Sequence, residues 1–123
     1  LSLTFVYTSE YDKAVMPRSF EIFDWDDGNR EKCQKHGVLV SEIEEALKGD
    51  AMMILPDVKH SDEEDRFIAT GQAKNGRCLF VAFTLREANG KKCIRPVSAR
   101  YMHIKEVRKY EKARTKIKDR QRS

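Results

Sequence analysis

Four side chains have the chemistry to hold an anion and move a proton: Arg66, Arg86, Arg100 and His36. A guanidinium is planar and can donate two parallel hydrogen bonds to one phosphate. An imidazole, with an unperturbed pKa of about 6.5, can take or give a proton near neutrality. Each residue also has a plainer reading. Arg100 suits the surface of a strand–helix junction, and Arg86 a solvated position beside a turn. Arg66 follows Glu64-Asp65 and can pair with either carboxylate. His36 lies in Lys35-His36-Gly37, an ordinary helix C-terminus where the dipole favours a cation, and Lys35 there binds an anion or stays in solvent. Thr84 can donate its hydroxyl to a phosphate or simply favour a strand. Trp25 reads as core, with base stacking as the alternative. His60 reads as a stabiliser of an acidic loop, and Tyr110 as a residue packed on a sheet.

These residues sit in a chain of 123 residues, 40% hydrophobic and 36% charged, which fits one small, highly solvated domain. The net charge of +4 hides a segregation. Residues 91–123 hold 13 Lys and Arg against 3 Asp and Glu, a balance of +10, whereas residues 1–90 hold 11 against 17, a balance of −6. The basic segment, which includes Lys92, Arg95, Lys105, Arg108 and Lys109, calls for a polyanion or an acidic protein partner. No window approaches the roughly 20 apolar residues that span a bilayer, and the opening residues lack the pattern of a secretory leader. Cys33, Cys78 and Cys93 form no CxxC pair, and His36, His60 and His103 complete no zinc pattern. A reduced, cytoplasmic protein without a metal or other cofactor is the expectation.

The elements that must position the candidates follow from period and punctuation. Phe20-Glu21-Ile22-Phe23, leading to Trp25, alternates as a short strand. Asp26 or Asp27 caps a helix running to about Lys35-His36, ended by Gly37. Ser41 with Glu44 matches a capping box, and Val40, Ile43 and Leu47 keep helical spacing up to Gly49. Ala51–Leu55, Arg66–Gln72, Cys78–Thr84 and Lys92–Ser98 read as a four-stranded antiparallel meander. Its third strand is central and buried on both faces. Asn75-Gly76 favours a type I′ turn and Asn89-Gly90 marks a second hairpin. Pro96 lacks an N–H, so its strand carries an unpaired side or a bulge there. From His103 the pattern is helical, with Ile104, Val107, Tyr110 and Ile117 on one face and fraying expected from Lys116. Helices grouped on one side of such a sheet make an α+β domain.

In this order and spacing the residues resemble the BrnT family of toxin–antitoxin toxins, part of the wider RelE-like ribonuclease group. The resemblance rests on Phe23-Asp24-Trp25-Asp26, Asn29, Lys35-His36-Gly37-Val38, Pro56-Asp57, His60 and Glu64-Asp65-Arg66-Phe67. It continues through Thr84, Arg86, Val97-Ser98-Ala99-Arg100, Lys105-Glu106 and Tyr110. It assigns residues 19–112 to the toxin domain, with 1–18 an extension and 113–123 a basic tail. It implies a RelE-like α+β endoribonuclease that acts without a metal and inhibits translation and growth. It also implies a BrnA-like ribbon-helix-helix antitoxin, with operator DNA bound only through the toxin–antitoxin complex.

Such chemistry needs a proton acceptor, charge stabilisation at the phosphorane-like transition state and a proton donor for the leaving oxygen. Under the resemblance, the catalytic candidates are Arg100, Arg86, His36, Thr84, Arg66 and Lys35. Lys92, Arg95, Lys105, Arg108 and Lys109 are the candidates for RNA binding. Leu85 and Pro96 stand where the family commonly has an acidic and an aliphatic residue. They keep open a catalytically silent module of the same fold that binds nucleic acid or antitoxin. A DNA-binding regulator finds no helix-turn-helix spacing to support it.

Overall fold

A computed structural model describes residues 22–49, 53–57 and 64–122; expectations for residues 1–21, Ala51-Met52 and His60 lie outside them. The elements are α1 (Asp27–Gln34), α2 (Val40–Lys48), β1 (Met53–Pro56), β2 (Arg66–Gln72), β3 (Cys78–Ala88), β4 (Lys91–Tyr101) and α3 (Ile104–Arg122). The strands form one antiparallel sheet in the order β1-β2-β3-β4, so the meander is as read. Helix α3 passes Lys116 without ending and reaches Arg122, beyond the expected fraying point. Among the described residues the N-terminal strand is a single parallel bridge, Phe23 to Ile94, flanked by hydrogen bonds from Ile94 N–H to Ile22 and from Asp24 N–H to Ile94.

Helix α1 begins with a reciprocal cap. Asp26 Oδ1 accepts from Asn29 N–H at 3.0 Å, and Asp26 N–H donates to Asn29 Oδ1 at 2.7 Å. The Asn29 amide then donates to the carbonyls of Asp24 and Pro96, both at 2.9 Å, tying the helix start to β4. Gly37, two residues past the Lys35 C-cap and so one beyond the expected C′ place, adopts a left-handed φ of +85° and ends the turn. Helix α2 is capped two residues earlier than the expected Ser41. Its N-cap is Leu39, whose N–H donates to Glu42 Oε1 at 3.0 Å. Glu42 thus does the reciprocal work expected of Glu44, and Glu44 instead accepts from Trp25 Nε1 at 2.8 Å.

The two hairpins differ. Asn89 and Gly90 both take positive φ, 54° and 77°, as a type I′ turn requires. At the first hairpin only Gly76 does so. Gly76 N–H donates to Ala73 and Ala73 N–H to Arg77, giving a three-residue loop with glycine at its left-handed position. The expected type I′ turn is absent there because the Asn75 side chain is engaged elsewhere, accepting from Arg77 N–H and donating to Glu42. The bulge foreseen at Pro96 is present. The register steps from Ala82↔Ser98 to Phe83↔Pro96, leaving Val97 without a partner across the ladder.

Helices α1 and α2 cover one face of the sheet, where Cys33, Val38, Ile43, Ala46 and Leu47 pack on Phe67, Ala69, Leu79, Val81 and Phe83. The seam is tight at Gly71, where a Cβ would lie 2.6 Å from the Ala46 carbonyl oxygen of α2. Helix α3 crosses to the opposite face. Its Tyr110 and Ala113 pack with Met53, Leu55, Cys78 and Met102. The helices therefore lie on both faces, contrary to the one-sided grouping expected. The second face is covered only in part, which also corrects the doubly buried central strand. On β3, Leu79, Val81 and Phe83 are buried, but Phe80 and Ala82 are half-buried beside an opening.

Candidate active site

The opening is a cleft of about 610 Å³. Its floor is the uncovered part of the second sheet face, with Arg66 and Ile68 on β2, Phe80 and Ala82 on β3, and Ser98 and Arg100 on β4. Glu106 and Lys109 enter from the first turns of α3, Asp57 from the end of β1, and His36 from the turn after α1. Strand alternation explains the set. Phe80↔Arg100 and Ala82↔Ser98 are register pairs, so their side chains share one face.

Arg100 is held from three directions. Its Nη1 and Nη2 donate to Glu106 Oε1 and Oε2, each at 2.9 Å, in a bidentate fork. Nη1 also donates to the Tyr101 carbonyl at 3.2 Å. The guanidinium carbon lies 4.6 Å from the centre of the Phe80 ring. Glu106 accepts a further bond from His103 N–H at 2.8 Å, which caps α3. The fork from Arg100 is the main reason the Glu106 carboxyl is pushed down from 4.5 to about 2, with His103 N–H adding to it. In turn the carboxylate raises the Arg100 pKa above its ordinary value. The cleft therefore contains a permanently charged, pre-oriented guanidinium.

The turn that places His36 at the rim is backed by a buried carboxylate. Burial alone would raise the pKa of Glu42. Hydrogen bonds from the Tyr101 hydroxyl (2.5 Å), Leu39 N–H (3.0 Å) and the Asn75 amide (2.9 Å) outweigh it and hold the group below its ordinary range. The same Tyr101 oxygen lies 3.3 Å from the Gly37 carbonyl, next to His36.

Of the six catalytic candidates, Arg100, Arg66 and His36 line this cleft. Thr84, Arg86 and Lys35 do not. The hydroxyl of Thr84 is buried and makes no hydrogen bond among the described residues. Arg86 is engaged with Glu64 at 2.9 and 3.0 Å. Lys35 is exposed. Among the RNA-binding candidates, Lys109 lines the cleft, while Lys105 and Arg108 are exposed on α3 and Lys92 is exposed on β4. Arg95 forms ion pairs with Asp26 at 2.8 Å and Asp24 at 3.4 Å, which fasten the chain before α1 to β4.

Sequence reasoning passed over Glu106, Asp57, Ser98 and Phe80 as site residues. For Glu106 a signal existed: it stands three residues after His103, the N3 place of a capping box. A family model described as ribonuclease toxin, BrnT, of type II toxin-antitoxin system matches residues 25–106 of the chain. No curated protein matches it.

Proposed function

The chain belongs to the BrnT family of type II toxin–antitoxin ribonuclease toxins, and on that premise we propose that this cleft cleaves RNA without a metal, arresting translation and growth. The observation that carries the reading is the charged, pre-oriented guanidinium of Arg100 in an open cleft that also takes in Arg66, Lys109 and His36. A scissile phosphate there would meet cations that stabilise the charge developing on its non-bridging oxygens. His36 at the rim is the group for proton transfer to or from the reacting oxygens. Phe80 and Ile68 supply the apolar floor, and Ser98 a hydroxyl beside Arg100. Thr84, Arg86 and Lys35 are given no step.

An antitoxin partner comes with a type II toxin. We take it to be a BrnA-like ribbon-helix-helix protein whose complex with the toxin binds operator DNA, the toxin acting in the cytoplasm. No described helix is long and apolar enough to cross a membrane.

The test is cleavage of RNA by the purified chain in excess chelator. Wild-type protein cuts, and Arg100→Ala cuts about 10²–10³-fold more slowly, the usual cost of losing one preorganised charge-stabilising group. RNA left intact by wild type, or an Arg100→Ala rate equal to wild type, sinks the reading. Expression of the chain alone should arrest growth, and co-expression of the antitoxin should restore it.

A further inference from the structure

Helix α3 carries a charge pattern that the cleft does not use up. Lys105, Lys109, Lys112 and Lys116 recur at spacings of four, three and four, and all are exposed. At about 100° per residue they fall within roughly 60° of one another around the helix axis. Between the first and the last of these lysines the acidic residues avoid this strip, and Asp119 follows only after Lys116. Glu106 turns inward to Arg100, and Glu111 lies roughly 100° or more from every one of the four lysines. Among the residues whose side chains are described, none of the four lysines forms an ion pair. Like charges three and four residues apart repel one another and destabilise an isolated helix. Three such adjacent pairs without an interleaved acid make a surface that gains when an external anion covers it. The row is continuous with the cleft, because Lys109 belongs to both. It spans roughly 16 Å along the axis, of which about 10 Å lies beyond Lys109.

We propose that this row is a phosphate track that leads single-stranded RNA out of the cleft, so that the substrate is a strand several nucleotides longer than the dinucleotide at the scissile bond. A row one side chain wide matches one phosphate backbone, and its graded run from the cleft matches a strand already anchored there. The proposal rests on the ribonuclease reading of the cleft. It extends that reading past residue 106, where the family match ends.

The experiment uses the full-length chain with Lys112→Ala and Lys116→Ala together, two positions outside the cleft where alanine preserves the helix. The probes are a 20-nucleotide single-stranded RNA and a trinucleotide that fills only the cleft. Each phosphate contact contributes about 0.7 to the slope of log affinity against log salt for a single strand. The double variant should lower the slope for the 20-mer by about 1.4 and weaken its binding roughly 10-fold at 0.1 M salt. Trinucleotide cleavage should stay at the wild-type rate. An unchanged slope and affinity for the 20-mer, with the trinucleotide still cut, overturns the track and leaves the cleft reading standing. If wild type cuts neither RNA, the cleft reading itself has failed. If the variant binds RNA normally but loses its antitoxin, the row is a protein-docking face and the track is overturned.

Discussion

Replacing Glu106 by glutamine probes the contact that orients the guanidinium. The side chain keeps its size, but one of its two acceptors becomes a donor. With Oε1 retained by Arg100 Nη1 and His103 N–H, the new amide nitrogen would face Arg100 Nη2, donor against donor. The carboxyl is depressed from 4.5 to about 2, which converts to a ceiling of about 3.4 kcal/mol at neutral pH. Glu106 and Arg100 remain 28% and 43% exposed, and screening by water brings the expected loss to about 1–2 kcal/mol. The sign follows from the depressed pKa. The contribution is complete above pH 4.5 and is lost as pH falls toward 2, with less than half left at pH 3. Urea midpoints for wild type and Glu106→Gln should therefore differ clearly at pH 7 and by less than half as much at pH 3. Other carboxylates titrate in both proteins and cancel. A double-mutant cycle with Arg100→Met isolates the pair, with a coupling of about 1–2 kcal/mol expected. A difference as large at pH 3 as at pH 7, or a coupling below about 0.3 kcal/mol, would refute the reasoning.

Three other substitutions test the frame around the cleft. Gly71→Ala places a methyl group 2.6 Å from a helix backbone oxygen. The α2–β2 seam must open, so a loss of about 1–3 kcal/mol is expected in urea denaturation. Asn29→Ala removes two side-chain donors and the Asn29 Oδ1 half of the reciprocal cap, and breaks the buried bond to the Pro96 carbonyl. It should cost about 2–3 kcal/mol by the same measurement. Thr84→Val exchanges a buried, unbonded hydroxyl for a methyl group. Stability should hold or rise by up to about 1 kcal/mol with RNA cleavage unchanged, and a tenfold slower cleavage would place that hydroxyl on the substrate.

Local chemistry made much of the architecture legible before any coordinates. Pro96 announced a bulge because it has no N–H to pair, and Asn89-Gly90 announced a turn because both residues tolerate positive φ. Asn75-Gly76 carries the same dipeptide but makes another turn, because Glu42, far away in sequence, claims the Asn75 side chain. An unbroken apolar run such as Cys78–Phe83 tells that a strand is buried, but not how far a distant helix covers each face. At the site, Arg100 could be singled out by its place at a strand–helix junction. Its partner Glu106 looked like an ordinary charge on a helix, and its contact with Arg100 is set by how β4 meets α3. That Glu64 pairs with Arg86, 22 residues away, was likewise decided by three-dimensional placement, not by sequence distance.

The bridge between Phe23 and Ile94 also has a consequence for the order in which a growing chain can acquire its shape. The meander joins neighbours in sequence, and short loops close with little loss of entropy. Residues 22–24 have no such neighbour. Their backbone partners, and those of Asp26 and Asn29 through Arg95 and Pro96, lie about seventy residues downstream. During synthesis residues 22–24 leave the ribosome well before β4 and find these backbone partners only once it has emerged. Arg100, Glu106 and Lys109 emerge later still. A nascent or prematurely terminated chain thus lacks both the anchoring of its own beginning and the cationic wall of its cleft. The charged wall of the cleft can form only after β4 and the first turns of α3 have been made.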